Sequence, residues 1–340
     1  MSVMNVVAME ALDGERWNQR IAAVAGPMQL TTEWAAFVQA KDGVWPYFYE
    51  SSHGAAASGI LYLARSRRWP LSLWPTAFSD CLPIGPGGSN ALPAIEQLLR
   101  ERGVVEFQQN SFAFDGDAPC DLASLGFSTL ERLEFGLSLE EGCEAAWQRF
   151  RPTLRNDLRR FERSGVVCSL RSDVDVVDVL HTIEQATAVR HRAQGKAVAP
   201  MGREVYQMLW TYLIRPGRAR VYIAEQAGNA LAFAVVGAVG EQAYYLYGGA
   251  IPEALKLNAP KGLLWHAIQA EHERGVRHMN LGGMAASAAQ PDSVDHGLYK
   301  FKTAFGATET RCVSGRKMLR PVTASTISRL RQFATRLKVG

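Results

Sequence analysis

Two stretches of this chain make the same turn with the same letters. ALPAIEQLLRERGVVEF (Ala91–Phe107) can be laid beside KGLLWHAIQAEHERGVRHM (Lys261–Met279), and both pass through Glu-Arg-Gly-Val. The offset from Glu101 to Glu273 is 172 residues, about half of the 340-residue chain. Four shared letters alone are what chance supplies. The matched helix–glycine–strand transition, preceded by strands in both halves, implies a duplication: two similar α/β units joined near the middle. In the first copy Leu92, Ile95, Leu98 and Leu99 fall on one helical face, and Gly103 stands where a left-handed cap ends a helix.

The remaining elements arrange themselves around that pair. A helix starts at Thr31 (TTEWAAFVQA), capped by Thr31 or Thr32. Val44–Glu50 and Gly59–Ser66 read as strands. Pro70, Pro75, Pro83 and Pro86, with GPGG at Gly85–Gly88, mark a loop-rich interruption. Val104–Gln108 and Thr129–Leu139 are strands. Gly142–Ser164 reads as a linking helix that Pro152 kinks or restarts, with Arg149, Arg151, Arg155, Arg159, Arg160 and Arg163 set against Asp157 and Glu162. Then come a strand (Val166–Leu170), two helices (Val174–Ala193 and Arg203–Ile214), and strands Ala219–Glu225 and Ala230–Val239 joined at Gly228-Asn229, a hairpin signal. Strand Ala243–Ala250, a helix entry at Asn258–Gly262 running to Arg274, strand Val276–Leu281, a Gly282-Gly283 turn and GLYKFKTAFG (Gly297–Gly306) complete the pattern. The expected division is 1–141, a basic linking helix 142–165, a catalytic unit 166–320 and a basic tail 321–340. Strands and helices in this order give an α+β fold with a mixed sheet.

Composition excludes several functions. A net charge of +4 is a mild basic bias, concentrated at Arg149–Arg163, and does not suit a general nucleic-acid or DNA partner. The longest apolar run, Ala230–Val239, is shorter than the ~20 residues a membrane span needs. Glu10 and Asp13 stand where a signal peptide would carry a basic start and an apolar stretch. The five cysteines (Cys81, Cys120, Cys143, Cys168, Cys312) are odd in number and scattered, which suits a reducing compartment and argues against a zinc site or a disulfide framework. The expectation is a cytoplasmic, soluble protein without structural metal.

Four places carry a family likeness: PTLRNDLRRFERSGV (Pro152–Val166); the hairpin VYIAEQAGNALAF (Val221–Phe233); YYLYGGA (Tyr244–Ala250) followed by NAPKGLLWHAI (Asn258–Ile268); and GVRHMNLGG (Gly275–Gly283) with GLYKFKTAFG. In this order the second half resembles the acyltransferases of the GNAT superfamily, and more closely the branch of Fem-type peptidoglycan-bridge aminoacyltransferases and related Fem-like proteins. The resemblance implies tandem GNAT-like units, each a mixed, mostly antiparallel sheet flanked by helices, with a degenerate first unit. It also implies donor and acceptor bound where two neighbouring strands splay apart. Two departures stand out. The family commonly ends its second strand Asp-Leu-Gly-Gly, where this chain has Asn280-Leu281-Gly282-Gly283. CoA-using members carry a glycine-rich loop before the central helix, where KLNAPKG (Lys256–Gly262) has one glycine.

The residues suggest direct transfer, since no Gly-x-Ser-x-Gly elbow or other nucleophile placement is present. Leu298, Phe301, Lys302 and Phe305 sit at i, i+3, i+4 and i+7, so Lys302 lies on the apolar face of its turn. A cation there either reaches out to water along its stem or meets a negative group, and the Fem-like pattern implies that it stabilises charge developing in the transition state. Tyr299, beside it, is the second catalytic candidate. Donor binding is expected at Asn258, Lys261, Gly262 and Phe301, where a helix start with lysines nearby can hold a phosphate, or is an ordinary capped core helix. Arg155 and Arg159 share a helical face; they form a solvated surface or, as the resemblance implies, meet the phosphates of a nucleotide-linked acceptor. Tyr245 and Tyr247 are acceptor candidates or strand packing. The expected function is transfer of an aminoacyl or acyl group from aminoacyl-tRNA, slightly preferred, or acyl-CoA. The acceptor is an amine on a small molecule, a peptide or a cell-envelope precursor, with no tightly bound cofactor. A non-catalytic Fem-like protein that binds a nucleotide-linked sugar or tRNA is the alternative.

Overall fold

The computed structural model describes residues 4–51, 57–65, 75–85, 88–111, 121–195 and 199–320. The basic tail 321–340, Cys120 and part of the Pro/Gly-rich run lie outside them. In the first half, β1 (Met4–Ala8) is followed by α1 (Gly14–Ala23), α2 (Thr32–Asp42), β2 (Trp45–Ser51), β3 (Ser58–Arg65) and β4 (Pro75–Ser79). Then come α3 (Leu92–Glu101), β5 (Glu106–Asn110) and β6 (Ser128–Ser138). The second half runs α4 (Gly142–Arg149), α5 (Pro152–Glu162), β7 (Val167–Arg171), α6 (Val176–Ala193), α7 (Arg203–Leu209), β8 (Ala219–Gln226), β9 (Asn229–Val239) and β10 (Gln242–Ala250). It closes with α8 (Pro252–Lys256), α9 (Ala259–Glu273), β11 (His278–Asn280), β12 (Met284–Ala285), α10 (His296–Ala304) and β13 (Thr308–Met318).

All strands join one sheet in the order β1-β2-β3-β4-β5-β13-β6-β11-β10-β9-β8-β7, with β12 beside β6. The order reads alike from either edge. β1 to β4 are antiparallel neighbours, and β4 pairs in parallel with β5 across helix α3. Likewise β7 to β10 are antiparallel neighbours, and β10 pairs in parallel with β11 across α9. The two Glu-Arg-Gly-Val segments therefore sit at equivalent corners. The closing strands are exchanged: β6, which follows β5 in the chain, pairs with β11, whereas β13 pairs with β5, and β6 and β13 pair with each other.

This exchange changes how the expected division reads. Residues 1–141 and 166–320 contribute to a continuous sheet, and β6 lies beside second-half strands. The halves also share a core: Trp17, Met28, Phe37 and Tyr62 pack in one cluster with Leu180, Tyr206 and Val235. Across the second-half sheet, Val221, Ile223, Phe233 and Val235 face α6 and α7, while Tyr222, Ala224, Ala234 and Val236 face α9, the alternation a pleated strand imposes.

Several local expectations change. The linking helix is two helices, because the chain turns extended at Phe150 and Arg151 and restarts with Pro152 in its first turn, where the missing N–H costs nothing. Pro75 opens strand β4 instead of only interrupting structure; the first residue of a strand tolerates proline. The β8–β9 turn is Ala227-Gly228, both at positive φ (49° and 78°), one residue earlier than the Gly228-Asn229 signal. After α7 the chain makes a wider π turn at Trp210–Ile214. Helix α8 and strand β13 had no sequence counterpart.

Candidate active site

Lys302 lies in α10 and is 5% exposed. Its Nζ donates to Gly282 O at 2.6 Å and to Gly283 O at 3.3 Å, and sits 5.5 Å from the centre of the Phe135 ring. The ammonium therefore does not reach water along its stem. Burial pushes its pKa down to about 8, against the opposing pull of Glu134. The apolar stripe around it is incomplete: Phe305 is buried, Phe301 half-buried, and Leu298 is exposed.

Glu134 is the residue that sequence reasoning missed. It lies in β6, 1% exposed, and burial holds its carboxyl above the usual range. One oxygen meets Arg132 Nη2 at 3.0 Å, and the other accepts from Asn280 Nδ2 at 3.0 Å. Asn280 Oδ1 in turn accepts from Gly282 N at 2.6 Å. An Asn at the end of β11 therefore does not leave the site without a carboxylate, because the neighbouring strand supplies one. The Gly282-Gly283 pair is needed for close approach. Gly282 has φ 83°, and a Cβ on Gly283 would fall 2.3 Å from Glu134 Oε1.

The pairing of β10 with β11 ends beside this network. β10 pairs with β11 only over Gln242–Tyr244 and His278–Asn280. Beyond Tyr244, β10 has no pairing strand on that side among the described residues, and its register with β9 slips between Tyr245 and Tyr247. The turn at Gly282 lies against the Tyr245 carbonyl, 3.4 Å from where a Cβ on Gly282 would sit. The buried cation, the end of the β10–β11 pairing and the glycine turn thus lie together within the sheet's interior strands, away from its edges.

The other candidates distribute unevenly. Tyr299 packs edge-on to Phe135, with ring centres 5.9 Å apart, and so shares that ring with Lys302. Its hydroxyl bonds Glu309, which raises its pKa. Tyr245 and Tyr247 do not form one acceptor surface. In a regular strand they would share a face, but the slip turns Tyr245 toward the cluster under α9 and Tyr247 toward that under α6. Burial raises both hydroxyls to about 12, with Asp42 and Asp80 adding to the effect at Tyr247. Neither is a base at neutral pH. Phe301 packs edge-on to Phe305 in the core below α9.

The expected anion site at the α9 start is occupied by the protein's own contacts. Asn258 is left-handed (φ 54°), and its carbonyl accepts from the N–H groups of Lys261 and Gly262, each at 3.0 Å. Lys261 Nζ is paired with Asp157 at 2.6 Å. The side of Gly262 that would face a ligand is covered by Phe161, 2.1 Å from an added Cβ. Gly262 thus serves the α5–α9 contact. Arg155 and Arg159 lie on α5, where their polar partners are Gln148 (3.3 Å) and Asn156 (3.2 Å). Neither meets a carboxylate among the described residues. The start of α5 is tied to the Lys302 helix by Arg151 N donating to Ala304 O at 2.9 Å.

No cluster of His, Cys, Asp and Glu among the described residues is placed to hold a metal ion, and none of their helices is long and apolar enough to cross a membrane. Residues 148–302 match the family model for the acetyltransferase (GNAT) domain. Over that stretch the chain is similar to the GNAT acetyltransferases. Its whole fold is similar to the crystal structure of FemX, with a TM-score of 0.76 at 12% identity over 95% of this chain and 99% of FemX. It is also similar to the C-terminal domain of a putative lysylphosphatidylglycerol synthetase from Agrobacterium fabrum (TM-score 0.54, 17% identity, 89% of this chain and 92% of that one). A tandem GNAT protein from the clavulanic acid biosynthesis pathway gives a TM-score of 0.52 at 15% identity over 94% and 99% of the two chains. No curated protein matches the sequence. These likenesses show a tandem GNAT fold of the Fem-like kind. The GNAT match begins in α4 and ends at Lys302, so it excludes β6 and with it Glu134.

Proposed function

We propose that this protein, with its GNAT-like fold, moves an acyl group directly onto an amine, with aminoacyl-tRNA as the preferred donor and acyl-CoA as the alternative. The observation that carries this reading is the buried ammonium of Lys302, held on the glycine turn where β10 and β11 stop pairing. Two of its three protons go to the Gly282 and Gly283 carbonyls, which leaves one to donate. With its pKa at about 8, the side chain is charged at pH 7 by a ratio of about ten to one. An amine attacks the donor carbonyl, the oxygen becomes negative, and a fixed donor in a water-poor site stabilises it. The C–O bond to the tRNA ribose, or the C–S bond of a thioester, then breaks. The leaving atom takes up a proton and the attacking nitrogen loses one. A pKa of about 8 also suits Lys302 to supply the leaving atom's proton.

Preference for a tRNA donor is supported by the α9 entry. With the N–H groups of Lys261 and Gly262 donating to the Asn258 carbonyl, Lys261 paired and Gly262 packed under Phe161, it is less suited to cradle a pyrophosphate. Arg155 and Arg159, which meet no carboxylate among the described residues, are assigned to phosphate, on the donor or on a nucleotide-linked acceptor. Small amines, peptides and amine-bearing cell-envelope precursors remain acceptor classes. A screen of charged tRNAs against acyl-CoAs, read by mass spectrometry, tests the reading. Lys302-dependent deacylation of one donor class with a new amide on the acceptor is expected. Binding without deacylation would favour the non-catalytic alternative.

A further inference from the structure

The carboxylate beneath the glycine turn belongs to no motif and lies outside the GNAT match, yet it is among the least exposed charged groups of the described residues. We propose that Glu134 is the positioning residue of this site: through Asn280 it fixes the Gly282-Gly283 turn, and it supplies the counter-charge that keeps Lys302 an aimed ammonium.

The geometry forms a closed chain of contacts. Glu134 accepts from Asn280 Nδ2 at 3.0 Å, Asn280 accepts from Gly282 N at 2.6 Å, and the Gly282 carbonyl accepts from Lys302 Nζ at 2.6 Å. Asn280 is 3% exposed and suited to this relay, because its amide carries a donor for the carboxylate and an acceptor for the N–H. The charged and titratable neighbours are few. Arg132 meets Glu134 from the same strand and also donates to Ser111 O at 2.9 Å. Tyr244, on β10, senses Glu134. On the Lys302 helix itself, Tyr299 is engaged by Glu309. Glu134 is therefore the carboxylate acting on Lys302. Its second oxygen is spent on the residue that shapes the turn holding Lys302.

The inference rests on the acyl-transfer reading for its purpose but not for its test. Lys302 can be titrated in the intact protein by pH-dependent reaction with acetic anhydride, with labelling at that residue read by mass spectrometry. In the wild type the midpoint is expected near pH 8. In Glu134→Gln it falls by about one pH unit or more, because an opposite charge has been removed. In Glu134→Gln/Asn280→Asp, which returns one carboxylate to the network, it recovers. Asn280→Asp alone sets two carboxylates 3 Å apart; that variant takes up a proton and is more stable at pH 5 than at pH 8, which can be measured even where Glu134→Gln folds poorly. An unchanged midpoint in Glu134→Gln, or an Asn280→Asp protein whose stability does not fall between pH 5 and 8, overturns the proposal. If no donor supports transfer but the midpoints move as stated, the functional reading fails and the role of Glu134 stands.

Discussion

Replacing Lys302 by Met separates catalysis from stability in a direction opposite to most active-site substitutions. Burial depresses the Lys302 pKa from the ordinary 10.5 to about 8. At about 1.4 kcal/mol per pH unit, carrying the ammonium inside the fold costs about 3 kcal/mol at neutral pH. The sign follows from proton binding. Between pH 8 and 10.5 the unfolded chain holds a proton on this lysine that the native protein has released, so native stability rises with pH across that window. Below pH 8 both states are charged and the penalty is complete. Glu134, with its raised carboxyl, acts on the acid side and does not overlap. Methionine keeps the unbranched length and can pack against Phe135, so the penalty disappears. Against this stands the loss of hydrogen bonds to Gly282 and Gly283 and of a counter-charge for Glu134, together about 1–3 kcal/mol. Lys302→Met should therefore be as stable as the wild type or up to about 2 kcal/mol more stable, by urea denaturation at pH 7. Its stability should be flat between pH 8 and 10.5, where the wild type gains. Transfer should fall at least 10²–10³-fold, the order seen when one oxyanion donor is lost. A variant destabilised by more than about 2 kcal/mol would refute the burial argument, since no penalty would then have been relieved. A variant that kept its activity would refute the catalytic one.

Three further outcomes follow from contacts around the site. Gly262→Ala places a Cβ 2.1 Å from the Phe161 ring and should lower the urea midpoint by the equivalent of about 1–3 kcal/mol, with Phe161→Leu restoring part of it; no rescue would mean that the clash is relieved elsewhere. Glu271→Gln removes the fully buried carboxylate that holds Arg220 and Tyr222 against α9, with an expected cost of about 3–5 kcal/mol; a loss below 1 kcal/mol would show that the pair is dispensable. Arg155→Ala/Arg159→Ala should leave stability within about 0.5 kcal/mol while reducing the salt dependence of donor or acceptor binding. An unchanged dependence would assign these arginines to the solvated surface.

Elements with a strong period were legible in the sequence, whereas elements defined by their partners were not. Leu92, Ile95 and Leu99 announce α3 because their spacing is the consequence of burial on one face. The Lys302 turn was legible for the same reason, as a charge interrupting an apolar stripe. Strand β13 was not: TETRCVSGRKM has no alternation of apolar residues, and its place between β5 and β6 comes from backbone pairing, not from side-chain burial. Tyr245 and Tyr247 misled because a two-residue spacing predicts a shared face only in a regular strand. In LERLEFGLSL the pattern Leu133, Phe135, Leu137 directs Glu134 to the opposite face, but nothing local says that β11 and a glycine turn will cover that face. Gly262 looked like a ligand-facing glycine until Phe161, far away in sequence, filled the space.

The exchange of closing strands explains why the site is composite. β6 belongs by chain order to the first half and brings Arg132, Glu134 and Phe135 to a lysine from the second. The duplication allows a comparison of equivalent positions. Asn280 pairs with Gly136, and two residues earlier on β6 stands Glu134. At the same offset in the first half, Gln108 pairs with Arg316, and two residues earlier on β13 stands Ser314. The first copy thus has neither the carboxylate nor an Asn to relay it, and the stretch after β5 carries no counterpart of GLYKFKTAFG. Two copies with the same strand order can therefore differ in chemistry through a few side chains on the exchanged strands. The second-half site draws its cation from one copy and its anion from the other, so a change that loosens the β6–β11 pairing reaches Lys302 without touching it.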